Sequence, residues 1–440
     1  MPMDFSKDLI CENLTAVDGV LHFAGQNTAD LAAKYGTPLY LMDENRIRQQ
    51  AAVYRDTLRE CFGDKGHALF ASKACAFKRM YAIMAEEDLS VDVVSAGEMA
   101  TAYAAGFPMD RVYFHSSNKT DFDIAYAIDH GVGTFVVDHP EELAAINAIA
   151  GEKDVVQPVM LRITPGIDCH TYEAVNTGKV DSKFGSAIVT GDAARITKQA
   201  LDAPNVKLVG FHCHIGSQVF DSSVYIATVD VMVDFLAEMK ATFGYTAEKL
   251  DIGGGYGVRY VAADPVIDIA ASIREVAAHM QAKVAAAGIE MPHVYMEPGR
   301  SIVADAGLTL YTVGAVKKIE GYKNYVSIDG GMPDNPRFAL YGSKYTCLVA
   351  NKMNEECDFV ASIVGRCCES GDIIQEGVSV PSSVGRGDTV AVCTTGAYNY
   401  SMASNYNRLP RPPIVMLRGG NESYVAVRRE TFADLCANDL

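Results

Sequence analysis

Lys73 closes an apolar run, HALFASK, that reads as a strand and gives way to the helix-like ACAFKRMYAIMAEE. A charged amine at a strand tip is costly to desolvate unless chemistry uses it. Comparable places along the chain carry Ser95, His115, Asp138, Arg162, His214 with Ser217, the run Gly253-Gly254-Gly255, and Glu297 with Arg300. An amine, imidazoles, a glycine loop, a carboxylate and guanidiniums at strand ends form a reactive set that a purely structural fold does not need.

Each piece has a plain reading and a chemical one. DIGGGYG (251–257) is a tight turn, or a loop whose bare backbone N–H groups can approach a phosphate. Arg300 and Ser217 would add charge and a hydroxyl there. In HCHIGS (212–217), His212 and His214 share one face of a strand. They could ligate zinc, but no third ligand at suitable spacing is evident, so no metal is expected. A flat imidazole can instead stack on a planar ring. EPGR (297–300) is a surface ion pair, or a carboxylate at the rim that holds a proton on a heterocyclic nitrogen. An amine that condenses with an aldehyde, a phosphate cradle, a stacking imidazole and an acid for a pyridine nitrogen together describe pyridoxal 5'-phosphate.

The elements that must position these residues follow from periodicity. Between residues 67 and 299 eight strand-like runs alternate with mostly helical stretches: HALFASK, SVDVVS, RVYFHS, GTFVVD, VVQPVMLRITP, KLVGFHCHIG, KLDIGGG and HVYMEPG. This predicts an α/β fold, a (β/α)8 barrel of the TIM type over 45–305, whose chemistry collects at the C-terminal strand ends. A doubly wound sheet is the rival, weakened by the lack of GxGxxG after the first strand. Beyond about residue 305, short strand-like runs separated by turns predict an all-β C-terminal domain, 306–440, to which 1–44 contributes through VLHFAG and YGTPLYLMD.

The 440 residues are 49% hydrophobic and 21% charged, a globular composition. A net charge of −17 argues against nucleic-acid or anionic-membrane partners. No run is long enough to span a bilayer, and MPMDFSKDLICENL lacks a signal-peptide pattern. Eleven scattered cysteines without a CxxC pair predict free thiols and a cytoplasmic setting.

The ordered motifs YGTPLYLMDE, FASKA, DVVSAGEM, FHSSNK, LRITPGIDCHTYEAVNTGKVDSKFG, GFHCHIGSQ, DIGGGYG, MEPGRSIV, DNPRFALYG, CESGDII and GAYNYSMASNYN run through nearly the whole chain. In them the sequence resembles the alanine-racemase-type barrel class of pyridoxal enzymes, and more narrowly the diaminopimelate decarboxylase family. The resemblance implies that Lys73 carries the cofactor and that His214 stacks on its ring. Ser217, Gly253, Gly254, Gly255, Arg300 and Tyr398 hold the phosphate region, and Glu297 meets the ring nitrogen. Arg300, Arg337, Tyr341, Glu369 and Tyr398 hold the substrate. Cys368 and Glu369 come from the second subunit of a homodimer, and Cys368 or Lys73 returns a proton to Cα. The expected reaction is decarboxylation of meso-2,6-diaminopimelate to L-lysine, the last step of lysine biosynthesis.

The substrate's distal centre supports this choice. It bears a carboxylate, which suits an arginine fork, and an ammonium, which suits an acid such as Glu369. Decarboxylation of ornithine, arginine or carboxynorspermidine, and a non-catalytic homologue, are the alternatives. A racemase places an arginine against the ring nitrogen instead of Glu297. Two features depart from the family pattern: Cys367, read as packing, and a long polar stretch at 343–357 near the expected interface.

Overall fold

The structure is a computed structural model that describes residues 9–167 and 182–440. Residues 168–181, the middle of the 161–185 motif, lie outside the described residues. Backbone packing divides the chain into two compact units. One comprises 50–257 and 267–301, the other 1–49, 258–266 and 302–440.

The first unit is built on eight parallel strands: β1 (Gly66–Ala71), β2 (Ser90–Val93), β3 (Val112–Phe114), β4 (Thr134–Val137), β5 (Gln157–Thr164), β6 (Val206–His212), β7 (Lys249–Asp251) and β8 (His293–Met296). They are the eight runs read from the sequence. Each pairs in parallel with its successor, β8 pairs with β1, and the ring closes. Strands covered on both faces need apolar residues at nearly every position, which is why they read as continuous runs. Leu69, Tyr113, Val136, Met160, Val209 and Tyr295 fill the interior. At the N-terminal end the His67 ring stacks on Tyr295 at 4.6 Å and on His293 at 5.2 Å. Lys249 Nζ donates to the Tyr113 hydroxyl there at 2.9 Å. Barrel chemistry is thus left to the opposite mouth.

The helices begin where the chain supplies caps. Ser95, Asp221 and Asp268 accept backbone N–H groups at the starts of Ala96–Ala104, Ser222–Phe243 and Ile269–Ala287. Thr120 and Asp123 form a reciprocal capping box for Asp121–Asp129. The rim residue Ser95 therefore has a local structural task. Among the described residues no helix is long and apolar enough to cross a membrane.

The second unit is β-rich. Its large sheet runs in the order Ile373–Val380, Phe359–Val364, Asn324–Ile328, Gly307–Lys318, Leu39–Asp43, Ile414–Arg418, Glu422–Val427. Leu39–Asp43 thus lies inside a sheet otherwise made by the C-terminal part of the chain. Thr389–Cys393 pairs with Gly307–Lys318 and with Cys347–Val349. One core gathers Leu21, Phe23, Leu39, Leu41, Leu308 and Leu417; another gathers Tyr311, Val326, Ile363 and Val390. Beyond residue 305 the sequence reading missed two strands. Ile373–Val380 is interrupted by Gln-Glu-Gly, and Cys347–Val349 hides in the polar stretch 343–357.

One glycine controls the barrel wall. The register of β6 against β5 shifts between Leu208 and Gly210. A Cβ at Gly210 would stand 2.0 Å from the Lys249 carbonyl oxygen on β7. Gly210→Ala is expected to destabilise the chain by about 2 kcal/mol or more, since an overpacked backbone contact has no flexible atom to yield. Urea denaturation of the two proteins measures it.

Candidate active site

Lys73 sits in a single 3-10 turn, Ser72–Ala74, directly after β1, and is exposed. Two contacts fix the turn. Ser72 Oγ donates to the Asp92 carbonyl oxygen at 2.6 Å, tying it to β2. The Ala71 N–H donates to the Pro298 carbonyl oxygen at 3.0 Å, tying it to the Pro298-Gly299 turn after β8. The amine's charge reaches buried Asp92 and half-buried Glu98 and His214.

Glu297, at the end of β8, is buried between two imidazoles. His212 Nε2, from β6, lies 3.0 Å from its Oε2, and His115 Nε2, after β3, lies 2.8 Å from its Oε1. The second contact is close but poorly aligned for a hydrogen bond, so His115 Nε2 and Glu297 Oε1 keep bonding capacity. The two imidazoles meet edge to face at 4.8 Å. Burial pushes the Glu297 carboxyl up, and the imidazoles overcome it, holding it well below the usual carboxylate range. Burial lowers both histidines, His212 to about 4, although Glu297 opposes this. Asp251, at the end of β7, is driven well above its ordinary range by burial and then by Glu297. Asp92 is raised to about 7, by burial first and then Glu297, against the charges of Lys73 and Arg162. Glu98 is also raised to about 7, by burial and then Asp92. Charge is thereby concentrated on Glu297 while its acidic neighbours take up protons.

His115, His212 and Glu297 also bring three ligand-type atoms within 4.8 Å of one another. The sequence had considered a metal only for His212 with His214. Those two diverge here, His212 to Glu297 and His214 to the glycine loop.

That loop follows β7. The Gly254 N–H donates to His214 Nδ1 at 3.3 Å, which leaves the imidazole proton to Nε2. Gly253 has a φ of +74°, and a Cβ there would meet the Cys213 carbonyl oxygen at 2.6 Å. A Cβ at Gly254 would lie 1.9 Å from the Glu297 carbonyl oxygen. The glycines therefore let three rim segments close on one another, and this packing alone requires them. Arg300, buried, directs Nε and a terminal nitrogen at Ser217 Oγ, at 3.3 and 3.1 Å. The expected companions Ser217, Gly253 to Gly255 and Arg300 belong to one unit and one end of the barrel.

Arg162, near the end of β5, is a half-buried cation of the site. Its Nε lies 3.9 Å from Asp138 Oδ1, and its guanidinium stands 4.4 Å from the Phe184 ring centre. Asp138 Oδ1 also accepts the Gly185 N–H at 3.0 Å. Two buried carboxyls, Asp92 and Asp251, escaped the sequence reading. Their signal was an aspartate inside each of the strand-like runs SVDVV and KLDIGG.

The remaining expected residues stand in the β-rich unit. Arg337 opens the short helix Arg337–Tyr341 and is buried, with its guanidinium 5.4 Å from the Tyr341 ring centre and 5.2 Å from that of Tyr398. Its Nε has no hydrogen-bond partner among the described residues. Tyr398 carries a φ of +66°. Cys368 and Glu369 lie exposed in a separate loop. The Cys368 N–H donates to Asn407 Oδ1 at 2.9 Å, and Glu369 Oε2 accepts from the Tyr406 hydroxyl at 3.4 Å. Asp372 ties down that loop, accepting N–H groups from Met332 at 2.6 Å and Cys367 at 2.7 Å. Cys367 is half-buried, and burial with Asp372 pushes its thiol to about 12.

At the barrel mouth the donor set fits pyridoxal phosphate. An exposed primary amine, a buried carboxylate with an unpaired oxygen, and a guanidinium–hydroxyl pair beside a loop without side chains match an aldehyde, a ring nitrogen and a phosphate. Residues 44–304 match the family model of the pyridoxal-dependent decarboxylases, pyridoxal binding domain. The chain is 41% identical over 422 residues to the diaminopimelate decarboxylase of Bacillus subtilis (strain 168), covering 96% of this chain and 95% of that one. It is 42% identical over 422 residues to that of Staphylococcus aureus (strain COL), covering 96% and 98%. The crystal structure of the M. jannaschii diaminopimelate decarboxylase in complex with L-lysine superposes with a TM-score of 0.89 at 32% identity, covering 98% of each chain. The chain belongs to the pyridoxal-dependent decarboxylases, in the diaminopimelate decarboxylase family.

Proposed function

We propose that this enzyme removes one carboxylate of meso-2,6-diaminopimelate, releasing carbon dioxide and L-lysine, the closing step of lysine biosynthesis. The full-length likeness to diaminopimelate decarboxylases carries the assignment. The M. jannaschii relative was solved with L-lysine, the product of this reaction. Bound pyridoxal phosphate supplies the electron sink for the bond that breaks.

The chain's own residues do the rest. Lys73, at the tip of β1, would hold the cofactor through its amine. Glu297, kept anionic, would hold a proton on the ring nitrogen and so deepen the sink. His214 would pack against the ring. Ser217, Gly253 to Gly255, Arg300 and Tyr398 retain the phosphate. Arg337, with Arg300, Tyr341 and Tyr398, receives the distal carboxylate, and Glu369 the distal ammonium. The carboxylate that leaves is thereby fixed in orientation. Cys368 or Lys73 delivers the proton to Cα afterwards. The barrel domain binds the cofactor, and the β-rich domain supplies substrate and dimer contacts. Cys368 and Glu369 serve the site of the partner in a homodimer, which agrees with their exposure in the single chain. The setting is the cytoplasm, where free thiols persist.

Lysine must appear when the purified enzyme is incubated with meso-diaminopimelate and pyridoxal phosphate; another amine product would refute the substrate. Arg337→Ala should lower kcat/KM for diaminopimelate by about a hundredfold or more, the worth of a charged pair, with far less effect on any residual turnover of an amine-ended substrate. Equal losses on both would remove Arg337 from the distal carboxylate. A mixture of Lys73→Ala and Cys368→Ala, each nearly inactive, should regain up to about a quarter of wild-type activity, because random pairing yields that share of intact shared sites. A mixture no better than its parts would place Cys368 in the site of its own chain.

A further inference from the structure

Behind the rim lies an ion pair that touches neither the cofactor residues nor the substrate residues. Lys119, in the loop after β3, and Glu142, in the helix Pro140–Glu152 after β4, are buried, their side chains 0% and 1% exposed. Lys119 Nζ reaches Glu142 Oε1 at 2.7 Å, the Val136 carbonyl oxygen at 2.6 Å and the Ser116 carbonyl oxygen at 3.4 Å, which uses all three ammonium protons. Glu142 Oε2 accepts the Asp138 N–H at 3.4 Å. A buried charge pair of this kind is poor evidence of stabilisation, because desolvation offsets most of its attraction. What it does supply is a fixed geometry.

That geometry has two ends, both in the site. One is Ser116, whose φ of +138° is rarely adopted by an L-residue and must be held by its surroundings. Ser116 follows His115, and the His115 N–H is pinned to the Val93 carbonyl oxygen at 2.8 Å. With its backbone fixed on both sides, His115 holds Nε2 at 2.8 Å from Glu297. The other end is Asp138, which carries the Gly185 N–H and faces Arg162. We infer that Lys119 and Glu142 are positioning residues of the catalytic site: together they set the strained turn that presses His115 against Glu297 and the strand end that presents Asp138 to Arg162. This inference rests on the reading of Glu297 as the ring-nitrogen partner.

Single variants would strand a buried charge and threaten the fold, so the test replaces the pair at once by residues of similar volume, Lys119→Met with Glu142→Met. The far-UV circular dichroism of the holoenzyme should be unchanged. The visible band of bound pyridoxal phosphate, titrated with pH, should move its midpoint by about 0.5 unit or more, in the same direction as in His115→Ala. The kcat for diaminopimelate should fall about tenfold with KM changed less than about threefold. In the band midpoint, the paired variant with His115→Ala added should match His115→Ala alone, whereas adding Arg337→Ala to the paired variant should multiply the losses in kcat/KM. A wild-type band in the paired variant, or a midpoint in the triple variant shifted by the sum of the two separate shifts, overturns the inference. The band needs cofactor but no substrate, so it judges the positioning even if diaminopimelate is not turned over.

Discussion

Everything at the barrel mouth answers to one constraint: a carboxylate kept ionised inside a protein. Removing Glu297 from water favours its neutral form, and the proposed contact with a ring nitrogen needs the anion. The electrostatic attraction and hydrogen bonding of the two imidazoles stabilise the anion, while their own burial disfavours their charged forms. Asp251 and Asp92 would repel that anion if ionised, and both are shifted towards protonation. Arg162 is the positive charge at middle distance. Because β3, β6, β7 and β8 each contribute a member, the charge state of Glu297 depends on the closed ring of strands. This gives the cylindrical sheet a chemical purpose beyond support.

The same view assigns work to residues with no reactive atom. Gly253 and Gly254 are bare because three rim segments converge there, and the closeness of the Glu297 carbonyl oxygen to Gly254 binds the glycine loop to the acid. The turn carrying Lys73 is joined to β2 and to the segment after β8, so amine and carboxylate share a frame. Precise placement of few groups, each held by backbone contacts, is what a site needs when orientation contributes much of the rate.

How far could the sequence be read unaided? The eight barrel strands were legible because burial on both faces writes itself as unbroken apolar runs. Lys73, His214, Glu297 and Arg300 stood out because polar residues ending such runs are unusual. Asp92 and Asp251 were not, since each lies within an ordinary strand and gains meaning only from Glu297, which is remote in sequence. Lys119 reads as a loop lysine; only the packed structure reveals that it is dry. Ile373–Val380 was lost because Gln-Glu-Gly breaks its alternation, and the capping task of Ser95 was hidden because a helix cap and a rim residue look alike in one dimension.

The place of Leu39–Asp43 in the second unit has a consequence for biogenesis. This strand pairs antiparallel with Gly307–Lys318 and parallel with Ile414–Arg418. A ribosome delivers it well before its neighbour Ile414–Arg418, with the barrel segments between them. During translation its hydrogen-bonding edges stay unpaired while the intervening barrel segments emerge, and exposed edges recruit other chains. Nascent molecules released early would carry this open strand permanently, so quality control by chaperones and proteases should weigh most heavily on chains that stop short of their final sheet partner.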